Sequence, residues 1–429
     1  MKILLLNYSD KHGGASIATI RLYDQLKEHI QLSLGVIQNY SLKSICLNKL
    51  IKKNNYLFSL ILKTLNKIYN RTFNSFITTN PILHSENMKS NINIYEINNS
   101  NYDIIHLHWL NNDMISIEDI AKINKPIVWT MHDCWPFCGA EHYPNILEND
   151  TRYIKGYTKQ NKPKTSYGLD ICRKTWERKN KAWKNIKFNF ISPSNFEKNA
   201  FKNSALFNNL KSQCTVIPNI VPEDIFRPLD KLLLKKQYGL PLNKIIIGFG
   251  AAGVVTDQKS IKGEYLLIQA LKKITDVDNY LFVIFGNAHI SFLKSIDIPV
   301  FEAGFITNPY ILASIYNICD VFVCPSLLEN LPNVCLESLF CGIPVAAFNT
   351  GGIPDIVEHK ITGYLADCFD TDDLHNGIMY CIDNHDILSK NSLIKAKRDF
   401  DNETIVKRHI ELYATVLQEN RSINYRSKT

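Results

Sequence analysis

The chain lacks an unbroken apolar stretch of the roughly 18 residues that a helix needs to cross a membrane. The apolar run within Met1–Asp10 is too short for a secretory signal peptide, and we interpret it as a first β-strand. The sequence also lacks a Walker lysine motif, a solenoid repeat and a recognisable nucleic-acid-binding motif. We therefore expect no membrane span, no P-loop nucleotide site and no nucleic-acid partner.

The 11 cysteines are odd in number and scattered, so the chain lacks the pattern of a disulfide framework. Several of them stand inside apolar runs: Cys319, Cys324, Cys335 and Cys341. Reduced cysteines in a hydrophobic core are typical of proteins in reducing compartments. We therefore expect a cytoplasmic protein.

One tighter grouping of cysteines leaves a zinc site as an alternative. Cys134 and Cys138 are separated by three residues, and His132, His142 and Cys172 are near them in the chain. Structural zinc sites in proteins take four ligands, and no second closely spaced cysteine pair completes this one. We predict no metal site and no cofactor.

The composition is that of a globular protein, with 45% hydrophobic and 21% charged residues over 429 positions, enough for two or three domains. The net charge of +8 is unevenly distributed, because the segment 43–71 holds seven basic residues and no acidic one. This segment fits a basic amphipathic helix on an anionic membrane, which would place the protein at the inner face of the plasma membrane. An amphipathic helix packed on its own domain fits equally well.

The stretch 325–355 is the most informative part of the sequence. An apolar run at 321–324 predicts a strand, and the polar loop that follows carries Glu329. Pro332 suits the first position of a helix, where its missing N–H has no consequence. That helix carries Glu337.

The pattern of strand, turn and helix then repeats. The first helix stops at Gly342, and a second apolar run, 343–348, ends at the polar turn 349–352 before another helix that a proline opens. Two such units place two polar turns at one edge of a parallel sheet, where open α/β sheets bind ligands. Backbone N–H groups at helix starts attract anions, so we expect a ligand that carries phosphate.

The spacing of the two glutamates narrows the chemistry. Glu329 and Glu337 are eight residues apart, which corresponds to roughly 10 Å along a helix. A retaining glycosidase needs its two carboxylates about 5 Å apart. The pair suits hydroxyl groups at opposite ends of a sugar nucleotide, with the diphosphate between them. Two solvated glutamates at a helix end are the alternative.

These residues resemble the motif of a known protein family. Glu329-x7-Glu337 within Pro-Ser-Leu-x-Glu-Asn-Leu-Pro-Asn-Val, followed by Cys-Gly-Ile-Pro-Val-Ala and Gly-Gly-Ile-Pro-Asp, is similar to the donor-side motif of glycosyltransferase family 4. Members of that family are retaining enzymes with the GT-B fold. The resemblance implies that Glu329 contacts the donor sugar and Glu337 the ribose. It also implies that Asn330, Leu331 and Asn333 bind the donor.

The resemblance extends to a lysine near the start of the second domain. The turn Lys262-Gly263 is similar to the family's Lys-Gly turn, whose lysine meets the diphosphate. A cation there stabilises the charge that a leaving nucleoside diphosphate gains. The family has an arginine a few residues earlier; this chain has Lys259, which lacks arginine's planar fork. Two solvated loop lysines are the alternative.

Two features of the N-terminal half complete the predicted site. Gly13 and Gly14 form the first strand–helix turn, which in the family lies against the donor phosphates and the acceptor. His132 ends an apolar run and matches the histidine that faces the reacting carbon in the family. His106 and His108, on the preceding strand, are its rivals, and a structural histidine is the alternative to a catalytic one.

The segment Gly248–Gly253 matches a dinucleotide-binding glycine pattern after a strand, but the sequence around it does not. No helix opens within the glycines, and the loop is predicted to continue through 254–258. The next strand ends at 285–287 without the acid that would hold a ribose. We predict no NAD site.

The resemblance implies an α/β fold of the GT-B type: two Rossmann-like domains facing each other across a cleft, with a C-terminal helix that crosses back. The predicted boundaries are 1–222 for the acceptor-side domain, 223–400 for the nucleotide-sugar domain and 401–429 for the closing helix, with a proline-rich linker at 214–228. The stretch 151–166 is predicted to be an exposed loop. The regions around 127–137 and 170–183 are most similar to a subgroup of bacterial surface-polysaccharide enzymes, including colanic-acid-type members.

The expected activity is the metal-independent, retaining transfer of a hexosyl group from a nucleoside diphosphate sugar to a glycan or glycolipid acceptor. The implied mechanism is front-face substitution, in which the acceptor attacks from the side that the diphosphate leaves. A sugar-nucleotide 2-epimerase of the same fold would convert the donor without an acceptor. A catalytically silent partner subunit would bind no sugar nucleotide.

Overall fold

The computed structural model describes residues 1–11, 13–47, 83–145, 149–164, 168–208, 212–254 and 260–426. Most of the predicted basic helix of 43–71 lies outside these residues, as does Lys259. The chain divides into two compact units, Met1–Ile217 with Val406–Thr429 and Pro218–Ile405.

In the described part of the first unit, seven parallel strands form one sheet in the order β3-β2-β1-β4-β5-β6-β7. The strands are β1 (Lys2–Ser9), β2 (Gln31–Gln38), β3 (Ile45–Cys46), β4 (Ile104–Leu107), β5 (Ile127–Thr130), β6 (Phe188–Ser192) and β7 (Gln213–Val216). The helices are α1 (Gly14–Leu26), α2 (Ile94–Asn99), α3 (Ile117–Ile120), α4 (Arg152–Lys155), α5 (Ile171–Trp183) and α6 (Asn195–Lys202).

The described part of the second unit has a six-stranded parallel sheet in the order β10-β9-β8-β11-β12-β13. The strands are β8 (Ile245–Val254), β9 (Tyr280–Ala288), β10 (Val300–Gly304), β11 (Val321–Cys324), β12 (Val345–Phe348) and β13 (Gly363–Ala366). The helices are α7 (Lys231–Gln237), α8 (Glu264–Leu271), α9 (Ile290–Leu293), α10 (Pro309–Asn317), α11 (Asn333–Phe340), α12 (Ile353–Ile356), α13 (Thr371–Asp383) and α14 (His385–Asp399), with one 3₁₀ turn at Val277–Asn279.

The last helix, α15 (Asn402–Arg426), begins in the second unit and belongs to the first from Val406 onward. Within the first unit, the Tyr413 hydroxyl lies 2.7 Å from Nδ1 of His106 on β4. Lys187 and Glu419 form an ion pair of 2.6 Å. The predicted return of the C-terminal helix to the first domain is therefore confirmed.

The central strands are buried along their whole length because helices cover both faces of each sheet. Every residue of β4, β5, β6, β11 and β12 is buried. In each unit the strand order reverses once, between β1 and β4 and between β8 and β11. In open parallel sheets the carboxyl edge at such a reversal is where ligands bind. Both sheets are Rossmann-like, as predicted.

Three local predictions were wrong in whole or in part. The glycines of 248–253 lie inside β8 rather than after a strand, and a Cβ at Gly250 would come within 2.1 Å of the Phe285 ring. The first residues of the predicted linker form β7, because they continue the parallel pairing from β6. The prediction of an exposed loop at 151–166 was wrong only in part: residues 158–160 are exposed, but the stretch also contains α4, whose Arg152 is buried and forms an ion pair with Asp150.

Candidate active site

The second unit brings together two predicted site residues across its strand-order reversal. Lys262 lies in the loop between β8 and α8, and Glu329 in the loop between β11 and α11. The Lys262 ammonium lies 2.5 Å from Oε1 of Glu329, which also accepts a hydrogen bond of 2.9 Å from the Ser326 hydroxyl. The two loops therefore form one polar surface that carries both signs of charge.

The backbone of the two loops is in direct contact. The Leu327 N–H donates to the carbonyl of Ile261 over 2.8 Å. Gly263, which caps α8, has a φ of 70°. A Cβ at this position would lie 1.9 Å from the backbone oxygen of Pro325, so no other residue fits without a shift of the chain.

The turn after β12 also contacts the loop that carries Glu329. The Gly352 N–H donates to the carbonyl of Glu329 over 2.9 Å, and the Thr350 hydroxyl donates to the carbonyl of Leu327 over 2.9 Å. Gly351 has a φ of 58°, and a Cβ there would lie 2.1 Å from the Glu329 oxygen. The turn 349–352, predicted from its glycines, thus supports the backbone that carries Glu329.

The ion pair determines the charge state of the lysine. Burial alone would lower the pKa of Lys262, but the carboxylate of Glu329 outweighs it and holds that pKa above its ordinary value of 10.5. The Lys262 side chain is 41% exposed, whereas that of Glu329 is 14% exposed. A charged ammonium therefore stands at the carboxyl edge of the sheet, with part of its surface open to a ligand.

Helix α11 begins one residue later than predicted, because Pro332 adopts an extended ψ of 118° and Asn333 opens the helix. Asn330 and Leu331 are buried just before it. The side chain of Asn333 accepts a hydrogen bond of 3.2 Å from the Asn219 amide. The start of α11, where the sequence predicts that a phosphate group binds, thus directly follows the loop that holds Glu329.

Glu337 is buried in α11, and its carboxylate accepts a hydrogen bond from a residue that the sequence analysis missed. The Tyr316 hydroxyl, from α10, donates to Oε2 of Glu337 over 2.8 Å. Burial, reinforced by the charge of Glu337, raises the pKa of Tyr316 well above its ordinary value. The tyrosine stays protonated and orients the carboxylate. A tyrosine in a helix carries no sequence signal of this role.

In the first unit, the predicted His132 is in contact with one of its rivals. Nδ1 of His108 lies 3.0 Å from Nε2 of His132. His106 uses both ring nitrogens elsewhere: Nδ1 faces the Tyr413 hydroxyl at 2.7 Å and Nε2 the Thr130 hydroxyl at 2.8 Å. Burial lowers the pKa of His132 to about 4, so its ring is neutral at neutral pH.

Asp133, next to His132, holds a polar network of its own. Its Oδ2 accepts from the Trp109 indole N–H over 3.0 Å and lies 2.6 Å from Nδ1 of His142. Nε2 of His142 lies 2.9 Å from the Ser85 hydroxyl. Burial would raise the pKa of Asp133, but the interaction with His142 outweighs it and keeps that pKa low. The network anchors the chain immediately after β5.

The turn that follows is held by a buried lysine that the sequence analysis also missed. Lys179 of α5 donates to the carbonyls of Trp135, Cys138 and Gly139, and its ammonium lies 3.7 Å from the centre of the Trp135 ring. Burial lowers the pKa of Lys179 to about 7. In sequence it stands among other lysines on a polar helix, so nothing distinguishes it.

The glycines of the first turn begin α1. Gly13 has a φ of 90°, and a Cβ placed on it would meet no atom within 4 Å. The conformation, rather than crowding, favours glycine there. Asn7 and Ser16, joined by a hydrogen bond of 3.1 Å, connect the end of β1 to α1. The predicted contact of Gly13 and Gly14 with a donor stays a prediction.

The structure does not group the cysteines in the way that the sequence suggested for a zinc site. All 11 cysteines are free thiols. Among the described residues, Cys172 is grouped with His84 and Glu141, whose ligand atoms lie within 4.8 Å of one another. Cys134 and Cys138 are not part of that group.

The chain is similar to known proteins over part of its length. Residues 231–400 match the family described as glycosyl transferases group 1. The chain is 24% identical over 213 residues to N-acetyl-alpha-D-glucosaminyl L-malate synthase of Bacillus anthracis, covering 48% of this chain and 54% of that protein. It is 29% identical over 191 residues to an uncharacterized 41.2 kDa protein in the cps region of Klebsiella pneumoniae, covering 44% of this chain and 50% of that one. The chain thus spans about half the length of these relatives.

Solved structures resemble the whole chain. Anabaena Alr3699/HepE in complex with UDP-glucose has a TM-score of 0.62 at 17% identity, over 97% of this chain and all of that one (100%). WaaG, a glycosyltransferase involved in lipopolysaccharide biosynthesis, has a TM-score of 0.60 at 11% identity, over 96% and 99%.

The chain therefore has the GT-B fold, with two Rossmann-like sheets. The match to the glycosyl transferases group 1 family lies within its second unit.

Proposed function

We propose that this protein is a retaining glycosyltransferase of family 4 that transfers a hexosyl group from a nucleoside diphosphate sugar to a glycan or glycolipid acceptor. The observation that carries the proposal is the Lys262–Glu329 ion pair at the carboxyl edge of the second sheet. The surrounding turns support it, because Gly263 and Gly351 permit backbone approaches that any Cβ would block.

In this proposal the leaving group is stabilised by Lys262. A nucleoside diphosphate gains negative charge as its bond to the sugar breaks, and a fixed ammonium nearby stabilises that charge more in the transition state than in the bound donor. The backbone N–H groups at the start of α11, with Asn330, Leu331 and Asn333, complete the phosphate site. Lys259, outside the described residues, is proposed as a second cation.

The two glutamates have separate proposed roles. Glu329 accepts hydrogen bonds from hydroxyl groups of the transferred sugar, and on donor binding it shares Lys262 with the diphosphate. Glu337 accepts hydrogen bonds from the ribose hydroxyls and keeps the orientation that Tyr316 imposes. Because the β-phosphate takes the acceptor's proton in front-face substitution, no carboxylate is needed as a general base. The reaction is proposed to need no metal.

The first unit contributes His132 and the Gly13–Gly14 turn in this proposal. A neutral His132, supported by its contact with His108, can donate one hydrogen bond to the transferred sugar without adding a charge. The Gly13–Gly14 turn lies against the donor phosphates in the family's arrangement. These roles rest on the resemblance of the motifs.

The proposed donor is a UDP-sugar and the proposed pathway is bacterial surface-polysaccharide synthesis, as in the colanic-acid-type subgroup. The Anabaena protein of similar fold is described in complex with UDP-glucose, and WaaG is described as acting in lipopolysaccharide biosynthesis. No helix among the described residues has both the length and the apolar character to span a bilayer. We propose a cytoplasmic site of action, with peripheral membrane contact through the segment 43–71.

The test is thermal stabilisation of the purified protein by a panel of sugar nucleotides in EDTA, with Glu337→Gln beside the wild type. A ligand that binds only the folded state raises its melting temperature as occupancy increases. We expect one UDP-sugar to raise it, and Glu337→Gln to weaken that shift. Glu358→Gln, which changes a glutamate paired with Lys395 and Arg398 in the same unit, is the matched control and should keep the shift.

Product analysis with the stabilising donor separates the alternatives. A transferase consumes donor only when an acceptor is added. If the enzyme is retaining, NMR shows that the sugar has the same anomeric configuration in the product as in the donor. Conversion of the donor without acceptor would favour the 2-epimerase. Absence of a shift with every sugar nucleotide would favour the silent partner subunit.

A further inference from the structure

A second cluster of reactive side chains lies in the first unit. Its members are His84, Glu141 and Cys172, which supply an imidazole nitrogen, a carboxylate oxygen and a thiol sulfur within 4.8 Å of one another. They come from three separate parts of the chain: the segment before α2, the turn after β5 and the first turn of α5. Glu141 and Cys172 are buried and His84 is half-buried.

Backbone contacts hold two of these residues side by side. His84 and Glu141 form an antiparallel bridge. The Ser85 N–H donates to the carbonyl of Ala140 over 2.7 Å, and the His142 N–H donates to the carbonyl of Leu83 over 3.0 Å. The positions of His84 and Glu141 are thus determined by main-chain pairing and do not depend on their own side chains.

The third residue is held by close packing of the turn against α5. A Cβ on Gly139 would lie 2.5 Å from the carbonyl oxygen of Cys172 and 2.7 Å from Oε2 of Glu141. Asp170 caps α5 by accepting from the Arg173 N–H over 3.0 Å, which fixes the first turn where Cys172 stands. The backbone that carries the three ligand residues is therefore held in place.

The carboxylate of Glu141 has two neighbouring hydrogen-bond donors. Its Oε1 accepts a hydrogen bond from the Tyr157 hydroxyl, and the Cys172 thiol is hydrogen-bonded to the same carboxylate. Arg152 is the cation whose charge acts on Glu141, but its hydrogen bonds go to Asp150, and a second ion pair joins it to Asp170 at 3.6 Å.

We propose that His84, Glu141 and Cys172 bind one zinc ion that ties these three segments together. Nitrogen, oxygen and sulfur together suit Zn²⁺, whereas Mg²⁺ and Ca²⁺ take oxygen ligands. With three protein ligands, the fourth position of a tetrahedral ion falls to water. The ion meets Oε2 of Glu141 and exchanges the thiol proton of Cys172 for a metal–sulfur bond, releasing that proton to solvent.

In this proposal the zinc ion takes no part in sugar transfer, and its water-filled fourth position distinguishes it from the closed structural sites with four protein ligands. Its ligands His84 and Glu141 are adjacent in sequence to Ser85 and His142; Ser85 contacts His142, which in turn contacts Asp133. Zinc binding therefore stabilises the chain that follows His132. The proposal stands independently of the glycosyltransferase activity.

Metal analysis of the full-length protein, purified without chelator, is the first test. We expect close to one zinc per chain by mass spectrometry of the metals, and loss of that zinc in both Cys172→Ala and His84→Ala. Cys214→Ala is the matched control, because it removes a thiol from the same unit outside the cluster, and it should keep its zinc.

Cobalt substitution provides a second readout that does not depend on a variant folding. Co²⁺ added to the metal-free protein should produce a thiolate-to-cobalt absorption band in the near ultraviolet. His84→Ala should weaken Co²⁺ binding by about tenfold or more, since even indirect ligand supports contribute that much. Wild-type protein without zinc and without this band would overturn the proposal. Zinc that persists in Cys172→Ala would also overturn it, because the ion would then be elsewhere.

Discussion

The ammonium of Lys262 and the carboxylate of Glu329 lie 2.5 Å apart although 67 residues separate them in the chain. The pair joins the loop after β8 to the loop after β11, the two strands between which the sheet order reverses. In the absence of a donor each residue compensates the charge of the other. A bound diphosphate would take part of the lysine's interaction and leave the carboxylate available to sugar hydroxyls.

Lys262→Ala should lower kcat by about 10² to 10³-fold, the usual cost of removing one group that stabilises developing negative charge. The effect on KM should be smaller, because the lost interaction strengthens as the leaving group departs. Steady-state kinetics with the donor found by thermal shift measures both constants.

Lys231→Ala is the matched control for this change. Lys231 forms an ion pair of 2.5 Å with Asp320, which precedes β11 at the opposite edge of the same sheet. Its loss should cost no more than about 1 kcal/mol of stability and leave kcat unchanged. Equal losses of activity in the two variants would contradict the role of Lys262.

Gly263→Ala should destabilise the second unit and weaken donor binding, because its Cβ would collide with the Pro325 carbonyl. Gly239→Ala is the control, because it introduces backbone strain without a collision. Gly239 has a similar φ of 65°, but a Cβ there would meet nothing within 4 Å. We expect about 1 kcal/mol for Gly239→Ala and clearly more for Gly263→Ala, measured as melting temperatures with and without donor. Similar shifts in both variants would show that the contact between the two loops is unimportant.

Tyr316→Phe should raise the KM for the donor several-fold and change kcat little, because the tyrosine orients Glu337 without touching the reacting atoms. A hydrogen bond to a charged group contributes about 1.5 to 3 kcal/mol, of which a positioning role transmits only part to the ligand. Tyr364→Phe removes a similar bond, of 2.7 Å to Asp373, elsewhere in the unit and should leave KM unchanged. An unaltered KM in Tyr316→Phe would separate Glu337 from ribose binding.

The first unit should lose stability as the pH falls from 7 to 5. Burial depresses the pKa values of His106, His108 and His132, the last to about 4, so the unfolded chain binds protons from pH 6.5 downward before the folded one does. Stability that depends on a depressed pKa is present above the unfolded value and is lost toward the folded one. For His132 this amounts to no more than about 2 kcal/mol at pH 5.

Urea titration followed by tryptophan fluorescence measures this loss, because all five tryptophans lie in the first unit. His132→Gln should reduce the difference in the free energy of unfolding between pH 7 and pH 5. His29→Gln, at an exposed position, should leave that difference as it is in the wild type. If His132→Gln also leaves it unchanged, the histidine is not held neutral in the folded protein.

Sequence reasoning worked where the signal was local. The strand Val321–Cys324 and the glycine turn at 349–352 follow from short apolar runs and turn residues, and the structure has both. It failed at Gly248–Gly253, where the glycines accommodate Cys319 and the Phe285 ring inside a strand. The glycine pattern alone does not distinguish a phosphate loop from a crowded strand, because both need a missing Cβ.

Tyr316, Lys179 and the group His84–Glu141–Cys172 were beyond the reach of pattern reasoning. Each depends on contacts between distant segments, and none lies in a motif.

The sequence by itself determined the succession of strand, loop and helix, the glycine turns and the carboxylates of the second unit. These depend on backbone preferences and on the periodicity of apolar residues over a few positions. Only the tertiary structure decided which loops meet, because strand order depends on the packing of whole strands and helices. That order brings Lys262 to Glu329 and Cys172 to Glu141, and with them the chemistry that each pair can perform.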